Sequence, residues 1–185
     1  MEQRFITFCK DGNLDGIKYL LDDKHINIHA LNELGFRIAC KNGHKHVVKY
    51  LVNLYNINPN YTKIYIHINS EEGFRWACSC GQDKIVEYLT KLHKTNSNYK
   101  KINIHVNQEE GFRLACYNGR LHIVKYLINL HKIRQNRNSI YAKINIHTDD
   151  EYGFKMACMY GRIRIVKYLL SCGCYSDNYK CIIIL

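Results

Sequence analysis

Apolar residues recur along the chain in short bursts whose spacing switches between two periods. Ile102-Asn103-Ile104-His105 alternates apolar and polar residues, a period of two that predicts an extended loop or finger. Farther on, Leu121, Val124, Leu127 and Ile128 form one apolar stripe at helical spacing, which predicts a helix over Leu121 to Leu130. Between them, Glu109 to Asn118 reads as a shorter first helix closed by Gly119 in a left-handed conformation. The unit is therefore finger, helix, tight turn, helix.

This pattern is written four times. The phrase Gly-Phe-basic-apolar-Ala-Cys begins at Gly35, Gly73, Gly111 and Gly153, at intervals of 38, 38 and 42 residues. Three residues after each Cys stands another glycine, Gly43, Gly81, Gly119 or Gly161, and each unit ends in an apolar helix carrying Tyr-Leu. Self-similarity at such a period marks a stacked array in which each unit buries its apolar face against its neighbours. The expected class is all-α, an α-solenoid of about five stacked helix-turn-helix repeats with finger loops and long connectors between repeats. The units are expected at residues 26–54, 64–93, 102–131 and 144–173, after a degenerate capping unit in 1–25 and before a tail at 174–185. An array presents a long surface and no single deep pocket, so the fold class is readable here while the specific partner is not.

Ala115-Cys116-x-x-Gly119-x-x-x-Ile123-Val124-x-Tyr126-Leu127 resembles the core of the ankyrin repeat, and Gly43-His44 retains that family's Gly-His as well. The resemblance spans residues 26 to 172, and its wording is most similar to ankyrin repeat proteins of giant DNA viruses of amoebae. Two features depart from the family: Glu-Gly-Phe-Arg replaces the Thr-Pro-Leu-His turn, and the period exceeds the usual 33 or so residues. The resemblance implies a non-enzymatic scaffold for protein–protein interaction, a monomer, without cofactor, whose fingers and first helices line a concave recognition face. If a virus encodes it, the partner is a host protein and the location the host cytoplasm.

Positions that differ between units are the candidate contacts: Leu31, Asn32, Lys41, Asn42, Asn69, Ser70, Trp76, Ser79, Asn107, Gln108, Tyr117, Asn118, Asp149, Asp150, Met159 and Tyr160. Trp76, Tyr117 and Tyr160 are the expected aromatic anchors, the residue type that dominates binding energy, although Trp76 fits core packing equally well. The residues that do not vary have structural readings. Phe36, Phe74, Phe112 and Phe154 should be buried, and Ala and Cys let helices approach. An acid precedes the repeated base by four residues in every unit (Glu33 and Arg37, Glu71 and Arg75, Glu109 and Arg113, Glu151 and Lys155), which predicts local helix-supporting pairs. His29, His67, His105 and His147 are expected to hydrogen-bond backbone at a loop corner.

Charge adds a second reading. The formal net charge is +11, and Lys91, Lys94, Lys100 and Lys101, then Lys132, Arg134, Arg137 and Lys143, fall in two long connectors. Aligned in a stack, they would form a ridge for nucleic acid or another polyanion, with salt-sensitive binding. Abundant Lys, Asn, Ile and Tyr also follow from AT-rich codons, and long polar connectors carry charge without function, so the solvated-loop reading is favoured.

The remaining chemistry is thin. Five of the nine cysteines (Cys9, Cys40, Cys78, Cys116 and Cys158) occupy one repeat position, four of them beside an alanine, as small core hydrophobes do in a reducing compartment. Charged residues interrupt the N-terminus as a signal peptide would not allow, and no apolar run is long enough to span a bilayer, so an intracellular, cytoplasmic protein is expected. Phosphate loops, HExxH and Gly-x-Ser-x-Gly are absent from the sequence. The Cys78-Ser79-Cys80 and Cys172-Gly173-Cys174 pairs and His44-Lys45-His46 lack a second half-site at zinc spacing, so no metal ligand is assigned. The apolar end, Ile182 to Leu185, is expected to fold over the last helix pair as a cap.

Overall fold

The computed structural model describes residues 1–22, 26–132 and 141–174. Arg134, Arg137 and the Ile182–Leu185 tail lie outside the described residues. Among those described, the secondary structure is helical, in five hairpins, and the chain divides into two units, Met1–Asn103 and Ile104–Leu185. The N-terminal unit holds α1 (Glu2–Asp11) with α2 (Leu14–Leu21), α3 (Ala30–Asn42) with α4 (Lys45–Ile57), and α5 (Ile68–Cys80) with α6 (Asp83–Thr95). The C-terminal unit holds α7 (Val106–Tyr117) with α8 (Leu121–Asn129), which runs on into a 3₁₀ turn at Leu130–Lys132, and α9 (Thr148–Met159) with α10 (Ile163–Ser171).

Each hairpin turns at its expected glycine. Gly43, Gly81, Gly119 and Gly161 have φ of 85°, 82°, 75° and 62°, the left-handed region in which a Cβ is disfavoured. The residue after this glycine then ties adjacent hairpins together. His44 Nε2 lies 2.8 Å from the Lys10 carbonyl, Gln82 Nε2 donates to Lys41 O at 2.9 Å, and Arg162 Nε donates to Tyr117 O at 3.0 Å. Three unlike side chains thus do one job, supplying a donor to a carbonyl in the last turn of the preceding first helix.

The core follows the repeated phrase. Phe5, Phe36, Phe74, Phe112 and Phe154 are buried, as are Ala39, Ala77, Ala115 and Ala157 and the thiols of Cys9, Cys40, Cys78 and Cys116. Cys158, in the last hairpin, is only half-buried. The glycine that opens the phrase has its own role. A Cβ on Gly35 would stand 2.6 Å from the Phe5 ring, and one on Gly73 would stand 2.8 Å from the Phe36 ring. Each ring therefore packs flush against the backbone of the next first helix, a contact open only to glycine.

On the second helices the buried stripe is Ile123, Val124, Leu127 and Ile128; Leu121, expected to share it, is half-exposed and Ile123 takes its place. Two of the second helices, α4 and α6, are also longer than expected, reaching Ile57 and Thr95, so Lys91 and Lys94 lie on α6 and not in a connector. The connectors are pinned by tyrosines. Buried Tyr61 donates its hydroxyl to Leu21 O at 3.0 Å and buried Tyr99 to Val52 O at 2.9 Å, each reaching past the hairpin it follows to the second helix of the one before. Beyond each tyrosine, Ile64 and Ile66, or Ile102 and Ile104, point inward alternately, which is the period-two pattern of the fingers. Among the described residues, no helix is long and apolar enough to cross a membrane.

Candidate partner-binding surface

The finger enters the first helix through a left-handed turn that periodicity did not reveal. Leu31, Asn32 and Glu33 have φ of 52°, 56° and 62°, and the same three-residue run recurs at Asn69–Glu71, Asn107–Glu109 and Asp149–Glu151. Consecutive L-residues in this region are costly, and Asn and Asp tolerate it best, which fits their presence at five of the eight leading positions. Such a conformation persists only where its surroundings hold it.

Two repeated side chains hold it here. Arg37 donates from Nη2 to Leu31 O at 2.7 Å and from Nε to Asn32 O at 2.8 Å; Arg75 does the same to Asn69 O and Ser70 O, at 2.9 and 2.8 Å. Arg113 donates to Asn107 O at 2.9 Å, while Lys155, lacking a guanidinium fork, pairs with the Asp150 side chain. The glutamate closes the turn from the other side. Glu33 Oε1 accepts from His29 Nδ1 at 2.7 Å, and the pairs His67–Glu71, His105–Glu109 and His147–Glu151 repeat this at 2.8 Å.

These contacts correct two expectations. In the first three repeats the acid is committed elsewhere than to the base four residues on: it stands on left-handed backbone and its carboxylate reaches back to the histidine. The histidines bond carboxylate and not backbone. The carboxylates then link successive repeats: Glu33 accepts the Tyr65 N–H at 3.1 Å, Glu71 that of Asn103 at 3.0 Å and Glu109 that of Asn145 at 3.2 Å. Glu33, Glu71 and Glu109 are buried for this purpose. The arginines also reach forward, Arg37 to Glu72 at 2.5 Å and Arg113 to Asp149 at 2.7 Å.

The candidate contacts sit on this scaffold, and none of them is buried. Leu31, Asn32, Asn69, Ser70, Asn107, Gln108, Asp149 and Asp150 are exposed on the left-handed turns, and Lys41, Asn42, Met159 and Tyr160 are exposed farther along the first helices. Trp76, Ser79, Tyr117 and Asn118 are half-buried. Trp76 does not belong to the core: Arg37 and Lys41 lie over its ring, at 5.4 and 5.3 Å from the centroid. Asn42 donates to Lys10 O, and Asn118 to Leu114 O in its own helix, so both serve backbone as well.

In the C-terminal unit, Tyr117 and Tyr160 stack at 4.4 Å between centroids, tilted by 59°. Beside them a shallow hollow is lined by Glu110, Arg113, Leu114, Tyr117 and Tyr152, with the Arg113 guanidinium 5.1 Å from the centre of the Tyr152 ring. Tyr152 was missed. The signal was its position: it fills the place held by Leu34, Glu72 and Glu110 in the other repeats and is the aromatic member of that set.

Lys91 pairs with Glu87 on its own helix, which holds that carboxyl below its usual range, while Lys94, Lys100, Lys101, Lys132 and Lys143 are exposed. The cysteines of the core are poor nucleophiles. Burial pushes the Cys9 thiol up to about 12 and those of Cys40, Cys78 and Cys116 higher still. His44 and His46 both direct Nε2 to backbone carbonyls, of Lys10 and Gly12.

The comparisons agree with this architecture. The family profile described as ankyrin repeats (3 copies) matches residues 5–103 and again 74–180. An ankyrin repeat protein of Acanthamoeba polyphaga mimivirus is 43% identical over 56 residues, covering 30% of this chain and 9% of the relative. The chain thus matches only a small part of that relative's length, and the similarity is to repeats. With paired helices, left-handed glycine turns and a family profile matching from residue 5 to residue 180, the chain belongs to the ankyrin repeat family.

Proposed function

We propose that this chain is a non-enzymatic scaffold that holds a protein partner with its finger turns and first helices. The observation that supports this is a division of labour. Residues identical from repeat to repeat are largely buried or spent on bracing the turns, whereas residues that differ are exposed or half-buried at equivalent places on the turns and first helices. Side chains on a braced turn lose little further freedom on binding, which favours affinity. Trp76, Tyr117 and Tyr160 supply the aromatic area, and the likeness to a mimivirus repeat protein makes a protein of an amoebal host the partner to look for.

Capture from Acanthamoeba lysate, with nuclease and at moderate salt, tests the reading. Specific proteins should be retained by the parent chain and lost with Tyr117→Ala/Tyr160→Ala, while far-UV circular dichroism stays unchanged. Capture that vanishes with nuclease or with salt alone would instead assign the working surface to the exposed lysines Lys94, Lys100, Lys101, Lys132 and Lys143, as polyanion binding requires.

A further inference from the structure

We propose that His147, Glu151 and Cys174 form a binding site for one zinc-class divalent cation on the last described hairpin, beside the turn that carries Asp149 and Asp150. An imidazole nitrogen, a carboxylate oxygen and a thiol sulfur there all lie within 4.8 Å of one another. His147 Nδ1 and Glu151 Oε1 are 2.8 Å apart. Zinc bonds of about 2.0–2.3 Å in a tetrahedron set ligand atoms roughly 3.3–3.7 Å apart, between the 2.8 Å of the His147–Glu151 contact and the 4.8 Å within which all three ligand atoms lie. A mixed nitrogen, oxygen and sulfur donor set suits zinc or cobalt rather than magnesium or calcium.

The other three repeats supply the contrast. There the same His–Glu pair is completed by a backbone N–H of the following finger, from Tyr65, Asn103 or Asn145. In the fourth repeat the Cys174 thiol is brought to the pair. It is held in place by backbone: Gly173 at φ 96° turns the chain back, and the Cys174 N–H donates to Leu169 O at 3.1 Å. His147 is fixed likewise, its N–H donating to Asn145 Oδ1 at 3.1 Å. Cys174 closes the inner side of the cluster, fully buried, while the imidazole is about half-exposed and gives an ion a way in from solvent.

Binding balances simply. The imidazole proton moves from Nδ1 to the solvent-facing Nε2, the thiol proton passes to water, and the cation takes both positions with the carboxylate. Three protein ligands leave the fourth tetrahedral position to water. The Cys172-Gly173-Cys174 spacing did not reveal this site because its second half comes from a finger that precedes it by most of a repeat.

Tag-free, reduced protein titrated anaerobically with cobalt(II) tests the site. A thiolate-to-cobalt charge-transfer band should saturate at one ion per chain, with about one proton released, and zinc should abolish it. Cys174→Ser should lose the band, and His147→Ala, a change at an exposed ring, should lose stoichiometric binding with unaltered circular dichroism. Cys80→Ser should keep both. A parent chain without the thiolate band, or a band that survives in Cys174→Ser and His147→Ala, would overturn the proposal.

Discussion

At Gly73 two residue-scale effects oppose each other, and their magnitudes decide the sign. Helix propensity alone would have Gly73→Ala stabilise α5 by up to about 1 kcal/mol. The added Cβ, however, would stand 2.8 Å from the Phe36 ring, which is almost fully buried, so that the ring or the backbone must shift. Overpacking of this kind costs about 1–3 kcal/mol. Gly73→Ala should therefore lower the urea midpoint, and a raised midpoint would show that the ring can shift. The repeated glycine was plain in the sequence, but its reason was not. The atom that forbids a side chain belongs to the preceding repeat, 37 residues away.

At the scale of the element, the left-handed turn is where sequence reading and structure part. Hairpins, glycine turns and the buried Phe, Ala and Cys positions were legible because each follows from local spacing and side-chain size. The pairing of Glu71 with Arg75 was misread because the rule for residues four apart assumes right-handed backbone at both, and Glu71 has φ 62°. Nothing in Asn69-Ser70-Glu71 announces three left-handed residues; the turn exists because Arg75 and His67 brace it in the folded chain. The partner-facing positions were legible only as positions that vary. What they recognise depends on a molecule the sequence does not contain. The two accounts of Glu71 differ measurably. As an exposed helix pair it would contribute about 0.2–0.5 kcal/mol. As a buried acceptor for His67 and the Asn103 N–H, its loss leaves donors unsatisfied, at about 1–3 kcal/mol. Glu71→Ala should show the larger loss in equilibrium denaturation, with faster amide exchange at Asn103. A loss within the smaller range would restore the local-pair account.

For the molecule as a whole, the question is what an excess of cations does to the fold. There are 27 Lys and Arg against 16 Asp and Glu. Several acids are committed: Glu33, Glu71 and Glu109 are buried against histidines and backbone, and Glu72 and Asp149 meet Arg37 and Arg113. The exposed lysines, among them Lys94, Lys100, Lys132 and Lys143, add positive charge whose mutual repulsion acts across solvent. Added salt screens such long-range repulsion over a Debye length of about 8–10 Å, while the buried carboxylate contacts are screened far less. If self-repulsion outweighs the exposed ion pairs, the midpoint of thermal unfolding should rise from low to physiological sodium chloride. It should rise equally in chloride salts of sodium and potassium, since screening depends on ionic strength. A fall would mean that exposed pairs such as Lys91–Glu87 outweigh the repulsion. A rise with phosphate far above that with chloride at equal ionic strength would mean that an anion binds a defined cluster of these lysines, and would favour the polyanion surface over the aromatic one.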